Sequence, residues 1–273
     1  MCYLKYRSGE YVTETQSQPL KYDTTNNEKE LILPAITGVK SLLSACRNAA
    51  VRRIVITSSF ASVIDINRKA PPYFIYTADD WNPLTYSDAV APTTDAVVAY
   101  RGSKKFAELA AWDFVNAHSP GFDIATLCPP MTFGPIAHPI TRASQLNESN
   151  SQLWKVASGS PLPVSRVPFW IDVRDLAAMH VEALLKPEAG GKRYIPASPE
   201  RFSYGLAAEI IRSEFEWADA KGVSKETQQI DESYGLDGET AAKALGVEYR
   251  RFKECVVDLI KQVREMEEKA EEE

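Results

Sequence analysis

The chain has 273 residues, of which 44% are hydrophobic and 25% are charged, and its formal net charge is −6. These values are typical of a globular protein with one large or two small domains. The acidic balance and the lack of long basic runs argue against a nucleic-acid partner. No segment has the apolar length of a membrane span, so we also expect no membrane partner.

Four cysteines are scattered along the chain: Cys2, Cys46, Cys128 and Cys255. Their spacing does not match a zinc site or a redox motif, and the three histidines are not spaced as metal ligands. We therefore expect no metal site. Reduced thiols and an N-terminus without an apolar core or cleavage site favour a cytoplasmic protein.

Segments typical of helices alternate with segments typical of buried strands. Apolar positions between residues 31 and 46 follow helical spacing. Residues 53–57 form a continuous β-branched run, as expected for a strand covered on both faces, and residues 124–128 predict the next buried strand. Between them, residues 96–118 predict a long helix that ends at Pro120-Gly121.

Residues 65–95 and 134–168 are rich in residues that favour turns, and we predict a loop excursion and a pocket-forming insertion. Further helices are predicted over 174–185, over about 204–217 and from about Tyr249 onward, with a short strand at 194–198. The acidic end of the chain is expected to fray. The alternation of strands and helices predicts an α/β fold with a parallel sheet.

The candidate chemistry lies in Tyr100-Arg-Gly-Ser-Lys104, inside the long predicted helix. A tyrosine and a lysine four positions apart share one helix face. Lys104 as a fixed cation would favour the phenolate form of Tyr100, which could give a proton to a carbonyl oxygen or take one from an alcohol. Ser59 follows the strand 53–57 and could hold the same oxygen. This set predicts nicotinamide-dependent carbonyl reduction.

The Tyr-x-x-x-Lys pattern alone is weak evidence, because a second copy occurs at Tyr249-Arg-Arg-Phe-Lys253. No strand ending in Ser-Ser precedes that copy, and Gly246 just upstream suggests a helix boundary. We interpret Tyr249 as a packing or surface residue.

Several blocks of sequence follow one another in a recognisable order. They are Ile54-Val-Ile-Thr-Ser-Ser-Phe-Ala-Ser-Val63, Trp81-Asn-Pro83, Ala99-Tyr-Arg-Gly-Ser-Lys-Lys-Phe-Ala-Glu108, Ala111-Trp-Asp-Phe-Val115, Leu127-Cys-Pro-Pro-Met-Thr-Phe-Gly-Pro135, Asn147-Glu-Ser149 and Ile171-Asp-Val-Arg-Asp175. Over roughly residues 17–262 the chain resembles the extended short-chain dehydrogenase/reductases. Within them it resembles the branch of fungal ketoreductases, aldehyde and methylglyoxal reductases, dihydroflavonol-4-reductase and cinnamoyl-CoA reductase.

The resemblance implies NADPH-dependent reduction of a small ketone or aldehyde. It implies that Ser59 is the catalytic serine, that Tyr100 is the general acid, and that Lys104 binds the nicotinamide ribose and tunes Tyr100. The positions implied to lie beside the nicotinamide are Pro129, Met131 and Thr132, and those implied to face the substrate are Ile64 and Val97.

One half of the expected cofactor site has no counterpart in the sequence. Relatives open with a strand, a Gly-x-x-Gly-x-x-Gly turn and a helix, and the turn's backbone amides bind the pyrophosphate. Before the Ser59 strand this chain has only Gly9 and Gly38, and Ser17-Gln-Pro-Leu20 resembles the end of the relatives' fourth strand. We therefore expect an N-terminally truncated, incomplete Rossmann-type parallel sheet with an open edge, a small C-terminal substrate lobe, and impaired cofactor binding.

The predicted organisation has four parts: an unassigned segment at 1–16, the catalytic part of the truncated Rossmann domain at 17–135, a substrate-binding lobe with returning Rossmann elements at 136–264, and an acidic tail at 265–273. Two alternative functions stay open. One is a sugar-nucleotide epimerase or dehydratase, which shares the Ser-Tyr-Lys set but not the Trp81-Asn-Pro83 and Asn147-Glu-Ser149 blocks. The other is a non-catalytic pseudoreductase that acts by binding a partner.

Overall fold

The structure is a computed structural model, and it describes residues 4–5, 11–15, 24–68, 73–165, 167–218, 228 and 230–272. The strands are β1 (Leu4–Lys5), β2 (Tyr11–Thr15), β3 (Arg53–Thr57), β4 (Phe74–Tyr76), β5 (Asp123–Leu127), β6 (Met131–Phe133), β7 (Trp170–Asp172), β8 (Arg193–Tyr194) and β9 (Tyr234–Leu236). The α-helices are α1 (Leu33–Arg47), α2 (Tyr86–Val90), α3 (Ala96–His118), α4 (Glu148–Ala157), α5 (Val173–Leu185), α6 (Tyr204–Glu214), α7 (Gly238–Leu245) and α8 (Phe252–Glu272).

The central sheet has the strand order β1-β2-β3-β5-β8. Strands β2, β3, β5 and β8 are parallel, and β1 pairs antiparallel with β2. The register pairs Thr15 with Thr57 and Thr57 with Leu127, so three strands end at the same edge. Two separate parallel pairs, β4 with β9 and β6 with β7, extend the fold beyond that edge. The predicted α/β fold with a parallel sheet is thus confirmed.

Helices cover the sheet on both faces, which explains the uninterrupted apolar run of β3. Ile54 and Ile56 pack with residues of α1 and α3 on one face. Val55 points to the other face and packs with α5 and α7. A separate core is built around Phe133 of β6, Trp170 of β7 and Phe252 of α8. It packs α4, α6 and α8 against these two strands.

The edge beside β3 differs from the sequence-based expectation of an open edge. Strand β2 pairs with β3 along its whole length, from Tyr11 opposite Arg53 to Thr15 opposite Thr57. Strand β1 then pairs with the outer side of β2. The segment 17–20, which carries part of the resemblance, lies outside the described residues.

Three segments predicted as irregular contain regular structure. The excursion 65–95 holds β4 and α2, and α2 begins with a capping box between Thr85 and Asp88. The insertion 134–168 holds α4, whose Leu153 and Val156 are fully buried. The acidic tail does not fray at residue 265, because α8 continues to Glu272 with an Arg264–Glu268 ion pair. The capping box and the ion pair are local, whereas β4 pairs with β9 and α4 packs against α6 and α8, which are distant in sequence.

Within the described residues, no helix combines the length and the apolar character needed to cross a membrane. The same residues contain no cluster of three or more His, Cys, Asp and Glu side chains that could hold a metal ion.

The close approach of α7 to the strand-β8 segment gives a test of the packing. A Cβ added at Gly238 would overlap the backbone carbonyl of Ala197, whereas one added at Gly38, in α1, would meet nothing. We expect Gly238→Ala to lower the free energy of unfolding by about 1–3 kcal/mol through overpacking. Gly38→Ala is the control and should raise it by about 0.5–1 kcal/mol through helix propensity. Urea denaturation measures both values, and equal effects would contradict this packing.

Candidate active site

Ser59 lies just beyond the C-terminal end of β3. It has extended backbone angles and caps a 3-10 turn at Phe60–Ser62, because its Oγ accepts a hydrogen bond from the Ala61 amide at 3.1 Å. The side chain is half-buried, and within the described part of the chain its hydroxyl donates to no acceptor. The hydroxyl hydrogen of Ser59 is therefore available to another oxygen.

The Ser59 turn is fastened to the end of the neighbouring strand. The Ser58 amide donates to the Leu127 carbonyl at 2.7 Å, and the Phe60 amide donates to the Pro129 carbonyl at 2.9 Å. Ser59 and Pro129 thus lie side by side at the C-terminal ends of two parallel strands. Ligands of open α/β sheets bind outside this end of the strands.

Tyr100 and Lys104 lie on α3, whose start is fixed by Asp95. The Asp95 carboxylate caps the helix by accepting a hydrogen bond from the Val97 amide at 2.8 Å. One turn apart, the Lys104 Nζ lies 5.4 Å from the centroid of the Tyr100 ring. The sequence therefore brings a cation to the tyrosine, as the spacing predicted.

Lys104 is buried, with only 6% of its surface exposed. Burial removes water from the ammonium group and so lowers the pKa of Lys104 to about 8. At neutral pH the side chain is still a cation. It is also poised to change charge within a unit or so of neutrality, which an exposed lysine is not.

One turn further along the same face of α3, the carboxylate of Glu108 is completely buried. Its oxygens accept hydrogen bonds from Ser58 and Ser62 at 2.6 Å each and from Thr126 at 2.8 Å. Arg193 Nε adds a charged bond at 2.8 Å. Burial alone would raise the pKa of Glu108, but the charge of Arg193 and these hydrogen bonds hold it below its ordinary value.

Arg193 connects this carboxylate to the segment after β4. Its Nη1 donates to the carbonyls of Ala78 and Asp80, and its guanidinium carbon lies 3.8 Å from the centroid of the Trp81 ring. A single guanidinium therefore binds a helix, a loop and an aromatic ring, which its planar set of donors allows.

On the opposite face of β3, Thr57 contacts His180 of α5. Thr57 Oγ1 lies 2.6 Å from His180 Nε2, and His180 Nδ1 lies 2.8 Å from the Leu176 carbonyl. A carbonyl only accepts, so Nδ1 carries the hydrogen, and Nε2 of the neutral ring accepts from the threonine hydroxyl. Burial lowers the pKa of His180, which favours that neutral form.

The residues predicted to face the cofactor lie along one stretch after β5. Pro129 is buried, while Met131 and Thr132 are half-buried in β6. The Ser149 hydroxyl of α4 donates to the Thr132 carbonyl at 2.5 Å, so the Asn147-Glu-Ser149 block holds this stretch in place. Helix α4 thus supports the stretch 129–132, which the sequence predicted to lie beside the nicotinamide.

The two residues predicted to face substrate lie in different surroundings. Ile64 is 5% exposed and packs in an apolar cluster with Phe60 and Tyr76. Val97 is half-buried in the first turn of α3, one turn before Tyr100. A cavity of about 180 Å³ lies next to both segments and is lined by residues that include Asp65 and Arg101.

The second Tyr-x-x-x-Lys copy has a packing role, as the sequence interpretation allowed. The Tyr249 hydroxyl donates to the Gly238 carbonyl at 2.8 Å and accepts from the Ala197 amide at 3.2 Å. Lys253 forms an ion pair with Glu214 at 2.6 Å. This copy lies far along the chain from any strand end that bears serine.

Sequence reasoning missed Glu108 and Arg193, whereas it interpreted His180 as a surface or hydrogen-bonded structural histidine, and His180 is half-buried and hydrogen-bonded. Glu108 would have been the easier of the two to predict from the sequence. It lies four residues after Lys104, on a helix face where Ala107 and Ala111 are buried. A charged residue on the buried face of a helix signals a buried partner. Nothing local marks Arg193.

The comparisons with known proteins agree with the α/β fold. No protein-family model matches the chain. The chain is 34% identical over 258 residues to the ketoreductase azaE of Aspergillus niger, covering 89% of this chain and 72% of that one. It is 31% identical over 268 residues to the NADPH-dependent methylglyoxal reductase GRE2 of Saccharomyces cerevisiae, covering 92% and 75%. The crystal structure of yeast Gre2 complexed with NADPH matches it with a TM-score of 0.82, covering 95% of this chain and 78% of that one.

These matches define a class of NADPH-dependent oxidoreductase with an α/β fold. The chain belongs to the extended short-chain dehydrogenase/reductases, in the branch of the fungal NADPH-dependent reductases. A more distant structure, MoeE5 in complex with UDP-glucose and NAD, is 16% identical with a TM-score of 0.64 and so shares the fold alone. A sugar-nucleotide enzyme is therefore not favoured.

The buried ammonium of Lys104 predicts a pH dependence of stability. The unfolded chain keeps the ordinary lysine pKa of about 10.4. Between pH 8 and that value the unfolded state binds the proton and the folded state does not, so the free energy of unfolding rises with pH.

Lys104→Met removes this titration. We expect the variant to be more stable than the wild type at pH 7, with an advantage that shrinks by about 3 kcal/mol towards pH 10.5. Urea denaturation of both proteins across this range measures the difference. A difference that stays constant with pH would mean that the Lys104 ammonium is well solvated.

Proposed function

We propose that this protein reduces the carbonyl group of a small ketone or aldehyde with NADPH. The observation that carries the proposal is the pairing of Tyr100 with the buried Lys104, 5.4 Å from ring centroid to Nζ, on a helix tied to the Ser59 turn. The relatives named as NADPH-dependent methylglyoxal reductase and as ketoreductase support it.

NADPH supplies a hydride to the carbonyl carbon when it is bound. As that bond forms, the carbonyl π electrons move to the oxygen, and Tyr100 donates its hydroxyl proton to that oxygen to give the alcohol. Lys104 stabilises the tyrosinate that remains, because a cation in a poorly solvated site interacts strongly with a nearby anion. Ser59 donates a hydrogen bond to the same oxygen and orients the carbonyl.

The donor set of the chain fits the nicotinamide half of the cofactor. The ammonium of Lys104 can bind ribose hydroxyls, and Pro129, Met131 and Thr132 offer backbone and apolar contacts at the strand ends. We further propose that Ile64 and Val97 contact the substrate. In this proposal residues 17–135 carry the chemistry and residues 136–264 shape the substrate side.

We also propose a cytoplasmic location. Among the described residues, Cys128 and Cys255 are buried and free thiols. Burial and the neighbouring Glu108 charge raise the pKa of Cys128 to about 12, so this thiol resists oxidation as well as disulfide exchange. Reduced structural thiols of this kind are usual in the cytosol.

Tyr100→Phe tests the chemistry. The substitution removes the proton donor and little else, so turnover with NADPH and methylglyoxal should fall by at least about 100-fold. Activity is measured by the loss of NADPH absorbance, both for residues 1–273 and for a fusion that adds the strand, glycine-rich turn and helix of yeast Gre2 before Met1. Near-full activity of the variant would refute the role of Tyr100.

Two other tyrosines provide controls. Tyr73 is 61% exposed, and Tyr73→Phe should leave both turnover and stability unchanged. Tyr249→Phe should leave turnover unchanged but lower the free energy of unfolding by about 1–3 kcal/mol, because the Gly238 carbonyl and the Ala197 amide lose their partner.

A polypeptide of these 273 residues should bind NADPH weakly. The sequence contains no glycine-rich turn to hold the pyrophosphate, and each missing charge-assisted hydrogen bond is worth about 1.5–3 kcal/mol. Calorimetric titration should therefore show much tighter NADPH binding by the Gre2 fusion than by residues 1–273. Micromolar affinity of residues 1–273 alone would show that other residues of this chain bind the pyrophosphate.

A further inference from the structure

We propose that the buried Glu108–Arg193 pair is a positioning centre that holds two segments near the strand ends in one arrangement. The first is the Ser59 turn, residues 58–62, and the second is the loop 78–81. The proposal concerns the placement of these segments, and it rests on the proposed function only in taking Ser59 to be catalytic. Glu108 and Arg193 are positioning residues and need not touch substrate or cofactor.

The first segment is bound through the carboxylate. Ser58 and Ser62 flank Ser59, and both hydroxyls donate to the same oxygen of Glu108 at 2.6 Å. The one hydroxyl hydrogen of Ser62 is used on Glu108, and the Ser62 amide donates to the Ser59 carbonyl at 2.9 Å. Two short steps therefore connect Glu108 with the backbone of Ser59.

The second segment is bound through the guanidinium. Arg193 donates to the carbonyls of Ala78 and Asp80 and stacks on Trp81, while its Nη2 donates to Ser62 Oγ at 3.0 Å. The Asn82 side chain then returns to the Ser59 turn, because its Nδ2 donates to the Ala61 carbonyl at 3.1 Å. The two segments are thus connected to each other as well as to the pair.

A second ion pair in the same sheet shows what a merely structural pair looks like. Arg53 and Asp123 are the first residues of β3 and β5, at the end of the sheet away from the Ser59 turn. They form two hydrogen bonds, at 2.6 and 2.8 Å. Arg53 also donates to carbonyls at the end of α5. That pair fastens regular elements together, whereas Glu108 and Arg193 bind the loops beyond the strand ends.

The test is amide hydrogen exchange of residues 1–273, followed by mass spectrometry of peptides covering 58–64 and 78–82. Glu108→Gln keeps the shape but removes the charge and replaces one of the two acceptor oxygens with an NH2 donor. We expect exchange in both peptides to rise by on the order of tenfold, as expected for the loss of one or two hydrogen bonds. Asp123→Asn is the matched control and should leave both peptides unchanged.

Two milder variants keep the test decisive if Glu108→Gln does not fold. Ser62→Ala removes the hydroxyl bond between the Ser59 turn and Glu108 and should loosen 58–64 more than 78–82. Arg193→Lys keeps the charge but cannot reach Glu108 and both carbonyls together, so it should loosen 78–82 most. No local rise in these variants, or the same rise in Asp123→Asn, would overturn the proposal.

Turnover provides a second readout. Where the wild type or the Gre2 fusion reduces methylglyoxal, Ser62→Ala and Glu108→Gln should lower kcat by about 10–100-fold, as small misplacements of a catalytic group do, with the KM for NADPH unchanged. Looser exchange without a fall in kcat would overturn the positioning role. If no turnover is found in any wild-type form, the proposed function fails, while the exchange result still decides the placement of the two segments.

Discussion

The completely buried carboxylate of Glu108 constrains how α3 packs against the central sheet. An unpaired charge in such a place would destabilise the protein by several kcal/mol, so the folded state must bring donors to Glu108. They come from the end of β3, from β5 and from β8, and the last of them, Arg193, is 85 residues away in the sequence. Helix α3 is therefore fixed against three strands at once. Lys104 lies one turn and Tyr100 two turns before Glu108 on the same helix, and their positions depend on that attachment.

Local sequence signals were sufficient for the central elements. The β-branched run at 53–57 predicted β3 with its observed limits, and helical spacing with Pro120-Gly121 at its end predicted α3 as 96–118. The closeness of the Tyr100 and Lys104 side chains follows from helix geometry alone, because residues four apart share a face. These features were predictable because residues close in sequence determine them.

The remaining features depend on distant partners. The segment of α4 was predicted to be irregular because serine and asparagine are frequent in and around it. Its Leu153 and Val156 are nevertheless buried and pack against α6 and α8. Strand β4 is regular only through its pairing with β9, about 160 residues later in the sequence. Arg193 looked like any surface arginine, since nothing near it in sequence indicates a buried carboxylate.

The alternation of side chains at the end of β3 explains which hydroxyl remains for chemistry. Thr57 points to α5, where its hydroxyl donates to His180, and Ser58 points to the other face, where its hydroxyl donates to Glu108. Beyond Ser59, the chain turns, and the Ser62 hydroxyl again lies at Glu108. Three of the four hydroxyls in this stretch are thus used to hold the strand end in place. Ser59 alone keeps its hydrogen available among the described contacts, so the neighbours of the proposed catalytic serine fix the direction in which it can donate.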